Sequence, residues 1–220
     1  FALFPNELSR LEFHTTLMSV FSKIFQKPAP NSELAKRIPP GQSLTERFPV
    51  LTYGPVPKID AEQVSIRVFG EVEQELQIPW ADLMQMPIVT QTHDIHCVTH
   101  WTKLDMRWTG IPVPELMKRI QLKPTATHVM MHCYGGYTTN LPLEDFIRPE
   151  NLFAHIYDDK PLAPEHGGPM RVVVPHLFFW KSPKWISGLE FMNSDRLGFW
   201  EKNGYHRRGD PWREERYSND

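Results

Sequence analysis

Apolar residues recur at helical spacing in the first part of the chain and alternate with other residues further on. Over residues 8–27, Leu17, Phe21, Ile24 and Phe25 fall on one face and Arg10, Lys23 and Lys27 sit among the polar positions, which predicts an amphipathic helix. Pro28 and Pro30 stop it, and the Pro-rich stretch 28–42 reads as an arm or linker. Val64, Ile66 and Val68 then alternate with Ser65, Arg67 and Phe69, a strand ended by Gly70. Trp80–Met86 predicts a short helix closed by Pro87, and Ile88–Val98 an extended segment with Cys97 near its end. Pro114–Ile120 predicts a helix, with proline early enough that its missing N–H costs little. His128–Tyr134 predicts a strand running into Gly135-Gly136, and Leu141–Ile147 a helical turn. Phe153–Tyr157, Met170–Val174 and Trp185–Met192 complete the predicted strands. No repeat and no regular strand–helix alternation is present, so the class is α+β with several short, mixed β-sheets and short helices. The expected organisation is an N-terminal helix and arm over 1–40 and one domain over 41–220.

Composition narrows the function. The 220 residues suffice for one sizeable core, and 21 prolines argue for short elements and shaped loops. A formal net charge of -2 gives no sign of the concentrated basic face that nucleic acid requires. No apolar run is long enough to cross a bilayer, so no transmembrane segment is expected. No secretory signal is visible, which places the chain in the cytoplasm, or in the periplasm if a leader ahead of Phe1 has been removed.

The chemistry concentrates at His93-Asp94-Ile95-His96-Cys97-Val98-Thr99-His100-Trp101, with three histidines and a thiol within eight residues. A simple strand would split these side chains between two faces. The residues alone leave two readings: a buried thiol with hydrogen-bonded histidines nearby, or a zinc-stabilised binding module in which His132 and Cys133 supply a second knuckle. Neither pair is the C-x-x-C that structural zinc commonly uses. Two cysteines make no disulfide framework.

Longer patterns change the balance. Cys97-Val98-Thr99-His100-Trp101, followed by Arg107-Trp108-Thr109-Gly110-Ile111-Pro112, resembles the cysteine loop of the sulfite-oxidase-like molybdenum–pterin oxidoreductases. Pro169-Met170-Arg171-Val172-Val173-Val174-Pro175, followed by Lys181-Ser182-Pro183-Lys184-Trp185, resembles that family's cofactor cradle. Arg47-Phe48-Pro49-Val50-Leu51-Thr52-Tyr53-Gly54-Pro55-Val56-Pro57 resembles its mouth loop, and His132-Cys133-Tyr134-Gly135-Gly136-Tyr137 its strand before a Gly-Tyr turn. The resemblance covers roughly residues 40–217, in the manner of bacterial single-domain members, and its force comes from the order and joint presence of the pieces.

The resemblance implies a sulfite-oxidase-like molybdopterin-binding fold and an oxidoreductase performing oxygen-atom transfer on a small-molecule substrate. It implies Cys97 as the thiolate on molybdenum, a soft ligand suited to a metal held by dithiolene sulfurs. Arg171 and Lys184 would meet the pterin phosphate, with Ser182 and His166 beside them and Thr52 and Tyr53 at the mouth. Gly167 and Gly168 would let the backbone approach the cofactor. Cys133 would line the pocket without binding metal. Tyr205, five residues after Trp200, matches the position of the active-site tyrosine. Sulfite oxidases also carry arginines in the mouth loop and shortly after the cysteine; here Leu51, His100, Trp101 and Thr102 stand there, so sulfite lacks its usual clamp. No haem segment is evident, so a separate electron-transfer protein is expected. A cofactor-carrying protein without turnover of its own is the remaining alternative.

Overall fold

A computed structural model describes residues 32–220, so the helix predicted over 8–27 lies outside the described residues. Two sheets dominate. In the first, β1 (Ser43–Leu44), β5 (Trp101–Pro112), β8 (Leu152–Tyr157) and β10 (Arg171–Val173) lie in that order; β4 (Val89–His96) pairs with β5, and β9 (Lys160–Pro161) with β8. The second has the order β3 (Leu76–Pro79), β2 (Ser65–Gly70), β11 (Ile186–Met192), β6 (His128–Cys133), β7 (Thr138–Pro142). The β1–β5 and β2–β11 pairs are parallel and the rest antiparallel, so both sheets are mixed. The α-helices are single turns: α1 (Trp80–Leu83), α2 (Val113–Met117), α3 (Leu143–Phe146) and α4 (Phe199–Lys202). Each of the first three follows directly on a proline in extended conformation, which ends the preceding strand and sets φ for the turn.

Alternation along the strands places the core. Ile66 and Val68 of β2, Val129 and Met131 of β6, and Leu189 and Phe191 of β11 are buried. They pack in one cluster with Ile111, Phe153 and Val172 of the first sheet. A second cluster, including Ile95, Trp101, Met106, Trp108, Phe178 and Trp180, lies beneath the cysteine loop.

Three departures from the expected elements have physical reasons. The segment after Cys97, to which the pattern assigns no element, is a twelve-residue strand, β5, that runs through Pro112 directly into α2. Asp105 at φ 54° and register shifts opposite Ile95 and Gly110 break its alternation, so its strand pattern is hidden. Residues 138–142 form a strand before the helical turn at Leu143. Residues 38–42 are docked rather than linking: Ile38 and Gln42 are buried, and Arg37 forks onto Asp94 at 2.8 and 2.6 Å. Among the described residues, no helix is long and apolar enough to cross a membrane.

Candidate active site

The β4–β5 hairpin puts Cys97 first in a tight loop rather than at the end of a strand. The Cys97 N–H donates to the Trp101 carbonyl at 2.9 Å, the His100 N–H donates to the Cys97 carbonyl at 3.0 Å, and His100 closes the loop at φ 68°. This geometry places Cys97 on the wall of a cavity of about 310 Å³. Burial pushes its thiol pKa up, opposed by the Thr99 hydroxyl, which donates to Sγ at 3.2 Å. The histidines of the motif turn elsewhere: His96 Nδ1 meets the Thr102 hydroxyl at 2.9 Å, and His100 Nδ1 meets the Gly41 carbonyl at 2.9 Å. Among the described residues, no three His, Cys, Asp or Glu side chains gather where a metal ion could sit between them, so the zinc knuckle of Cys97, Cys133 and histidines is not assembled. Both cysteines are free thiols.

The opposite wall comes from β10 and the segment after it. Arg171 is 1% exposed. Its Nη1 donates to the His166 carbonyl at 2.8 Å and its Nη2 to the Ser182 carbonyl at 2.7 Å, while the guanidinium lies 4.2 Å from the centre of the Phe179 ring. Lys184 Nζ donates to the carbonyls of Leu51 at 2.9 Å and Glu165 at 2.6 Å. The hydrogen bonds of both cations therefore go to backbone carbonyls and none to a carboxylate. Burial lowers Arg171 to about 9. Burial, and then repulsion from Arg171, lowers Lys184 to about 7. Two cations with no carboxylate beside them give this wall a positive character suited to an anionic group. Ser182 completes this wall, its Oγ accepting the Val174 N–H at 2.8 Å.

Aromatic rings form the remainder. Tyr205 stacks on Trp200 of α4, with centroids 5.0 Å apart and planes at 16°, and meets Trp180 edge-on at 5.0 Å. A buried ion pair joins the two segments that bear these rings: Lys181 Nζ lies 2.6 Å from Glu201 Oε1, which also accepts from Trp180 Nε1 at 3.0 Å. Tyr137 donates from its hydroxyl to the Trp180 carbonyl at 2.7 Å. Thr52 and Tyr53 stand at the mouth, Tyr53 62% exposed with its ring 4.3 Å from that of Phe199.

The structure thus brings Cys97, Thr52, Tyr53, Arg171, Ser182, Lys184 and Tyr205 to one cavity. Cys133 and His166 are not on its wall. Cys133 is buried in β6, its thiol pushed up by burial. His166 stacks on Phe48 at 3.8 Å, and its carbonyl, not its ring, serves Arg171. Gly167 and Gly168 also have a packing role instead of an open approach to the cavity. A Cβ at Gly168 would overlap the Leu162 carbonyl, and one at Gly167 would meet Arg171 Cβ at 3.0 Å and Lys184 Cβ at 3.1 Å. Sequence reasoning missed Phe179, Trp180 and Tyr137 as wall residues; the run Phe178-Phe179-Trp180 between the two cradle motifs was the available signal.

The family described as oxidoreductase molybdopterin binding domain matches residues 53–200. The chain belongs to this family, the sulfite-oxidase-like molybdopterin oxidoreductases, whose members carry molybdenum on a pterin. It is 42% identical over 188 residues to "Uncharacterized oxidoreductase YuiH" of Bacillus subtilis, covering 85% of this chain and 95% of that one. It is 27% identical over 170 residues to the "Putative protein-methionine-sulfoxide reductase subunit YedZ1" of Azospira oryzae, covering 76% of this chain and 64% of that one. The fold matches the sulfane dehydrogenase SoxCD from Paracoccus pantotrophus with a TM-score of 0.60 at 18% identity, over 87% of this chain and 54% of that one. The donor set fits the family's cofactor, with one thiol facing a cavity whose far wall offers two cations lacking an acid partner.

Proposed function

We propose that this oxidoreductase reduces the S-oxide or N-oxide of a neutral organic substrate, or runs the reverse oxidation of a small sulfur compound, with Cys97 as the thiolate ligand of molybdenum. The observation that carries the reading is the single cavity shared by the Cys97 thiol, the Arg171–Lys184 pair and the Tyr205 phenol. The bound cofactor supplies two-electron oxygen-atom-transfer chemistry. Cys97 presents a thiol that burial keeps protonated when free, so ligation releases its proton from Sγ. Arg171 and Lys184 would hold the pterin phosphate, the guanidinium chiefly through its buried charge, since its fork already serves backbone carbonyls, and the ammonium as a point charge. Burial, then the neighbouring Tyr217 and Cys97, raise the Tyr205 phenol, which keeps its proton on Oη for donation to the substrate oxygen. Trp180, Trp200 and Tyr205 exclude water from that side of the cavity.

A neutral substrate follows from the mouth. Leu51 and Trp101 line it where an anion clamp would stand, and Arg171 and Lys184 are the cations of the wall, both directed to the cofactor. YedZ1, by its name a putative protein-methionine-sulfoxide reductase subunit, points to the same kind of substrate. The cavity opens to solvent beside Tyr53, and a separate electron-transfer protein is the redox partner this reading calls for. The test combines elemental analysis with assays of a panel of S-oxides and N-oxides using a reduced artificial donor. Molybdenum near one per chain with turnover of neutral oxides is expected. Zinc without pterin, or stoichiometric molybdenum with neither reduction of any neutral oxide nor oxidation of any small sulfur compound with an artificial acceptor, overturns the reading.

A further inference from the structure

Two buried side chains from opposite ends of the described chain converge on the backbone of the cysteine loop. Gln42 Nε2 donates to the Cys97 carbonyl at 3.0 Å. Arg216 Nη1 donates to the Val98 carbonyl at 3.1 Å, and its Nη2 to the Pro40 carbonyl at 3.2 Å. Both residues are nearly inaccessible, Gln42 5% and Arg216 6% exposed. The Arg216 guanidinium is also held over the Phe178 ring, 4.7 Å from its centre. Around them the Ser43 N–H donates to the His100 carbonyl at 2.9 Å and the Thr45 N–H to the Thr102 carbonyl at 2.9 Å, so β1 lies along the far side of the loop.

We infer that Gln42 and Arg216 are positioning residues that lock the Cys97 loop so that Sγ faces the cavity. This rests on the assignment of Cys97 as metal ligand. Three observations favour positioning over plain stabilisation. First, Gln42 is a poor stabiliser, because its Oε1 is buried without a partner, a burden an apolar side chain of that size would not carry. Second, the two donors act on consecutive carbonyls, 97 and 98, which fixes the orientation of the peptide unit carrying Cys97 as well as its position. Third, Arg216 Nη2 reaches the Pro40 carbonyl past Gly41, where φ is 70° and a Cβ would come within 3.1 Å of Nη2. The arm at 38–42 and the C-terminal stretch are therefore held by one guanidinium that also sets the cysteine.

The test uses the full chain purified with its cofactor, in Gln42→Leu, Arg216→Met and Arg216→Lys forms. It reads the rate at which iodoacetamide alkylates each cysteine, by peptide mass mapping, together with molybdenum retained after dialysis. Cys133, buried in β6 away from the loop, reports global opening in the same sample. Cys97 alkylation is expected to accelerate about fivefold in Gln42→Leu and roughly tenfold or more in Arg216→Met, the equivalent of one neutral and one charged hydrogen bond. Cys133 should keep its rate, molybdenum retention should fall in step with Cys97 exposure, and Arg216→Lys should fall between wild type and Arg216→Met. If both cysteines accelerate together, or Cys97 does not change, the two residues are ordinary structural groups and the inference fails. Failure of the ligand assignment looks different: Cys97→Ser would then keep wild-type molybdenum and turnover whatever the clamp variants do.

Discussion

Removing the Lys184 charge should move two measured quantities in unrelated directions. Lys184→Met keeps most of the stem and deletes the ammonium. In the cofactor-free protein that ammonium is held down to about 7 by burial and then by Arg171, against 10.5 when unperturbed. A base whose folded pKa is lowered costs stability where the unfolded chain binds more protons. The penalty is therefore full below pH 7 and fades as pH rises from about 7 toward the unfolded value. Discounted for the partial exposure of the group, it is on the order of 2 kcal/mol. Deleting the ammonium also loses the hydrogen bonds to the Leu51 and Glu165 carbonyls, at about 1 kcal/mol each, so the two effects roughly cancel. Cofactor-free Lys184→Met should thus melt close to wild type near neutrality and lose the rise in stability that wild type gains between pH 7 and 10. Cofactor retention should instead drop by about one to two orders of magnitude, the worth of a charge-assisted contact to phosphate at ~1.5–3 kcal/mol. Thermal melts of the cofactor-free protein across pH, with molybdenum and pterin counted after stringent dialysis of the loaded protein, give both numbers. A variant that melts far lower at neutral pH yet keeps its full cofactor would refute the reasoning and make Lys184 a structural cation.

Cys97→Ser should abolish turnover with little change in melting, since one small buried atom is exchanged; full molybdenum with wild-type turnover would show that the thiolate is elsewhere. Tyr205→Phe should keep its stacking on Trp200 and lose only the hydroxyl, lowering kcat about tenfold or more at nearly constant KM; an unchanged kcat removes the phenol from the chemistry. Sulfite should be a poor substrate in steady-state assays with an artificial acceptor. Losing two charge-assisted contacts of ~1.5–3 kcal/mol each weakens binding by roughly two to four orders of magnitude, so a micromolar KM with rapid turnover would contradict the neutral-substrate proposal.

What could be read in advance follows how local each signal is. The strand at 65–70 announces itself because one face is buried and the other is not, so period two survives in the residue types, while those at 128–133 and 186–192 show as short apolar runs, buried on consecutive residues. β5 does not, because Asp105 at positive φ and shifted pairing opposite Ile95 and Gly110 interrupt the alternation. In the site, Arg171 and Lys184 were legible as cations flanking an apolar strand, and the cavity they share with Cys97 follows from motif order. Cys133 shows the limit: it is buried in β6 and does not line the cavity, whereas Tyr137, four residues on, does. Gln42 and Arg216 were invisible, because their partners are backbone carbonyls 55 and 118 residues away and no residue type marks a carbonyl.

The family's domain description matches residues 53–200, whereas the mechanical unit is larger. β1, Gln42 and the Pro40 carbonyl lie before that span, and Tyr205 and Arg216 lie after it. A chain cut at the limits of the recognisable motif would keep Cys97, Arg171 and Lys184 and still lose the outer strand of the first sheet, the phenol and both braces of the cysteine loop. Such a fragment would carry the ligands without the frame that aims them. For this fold, tolerance to trimming is set by the two flanks that close over one hairpin loop, and exchanges between relatives should join the chains before residue 38 and after residue 217.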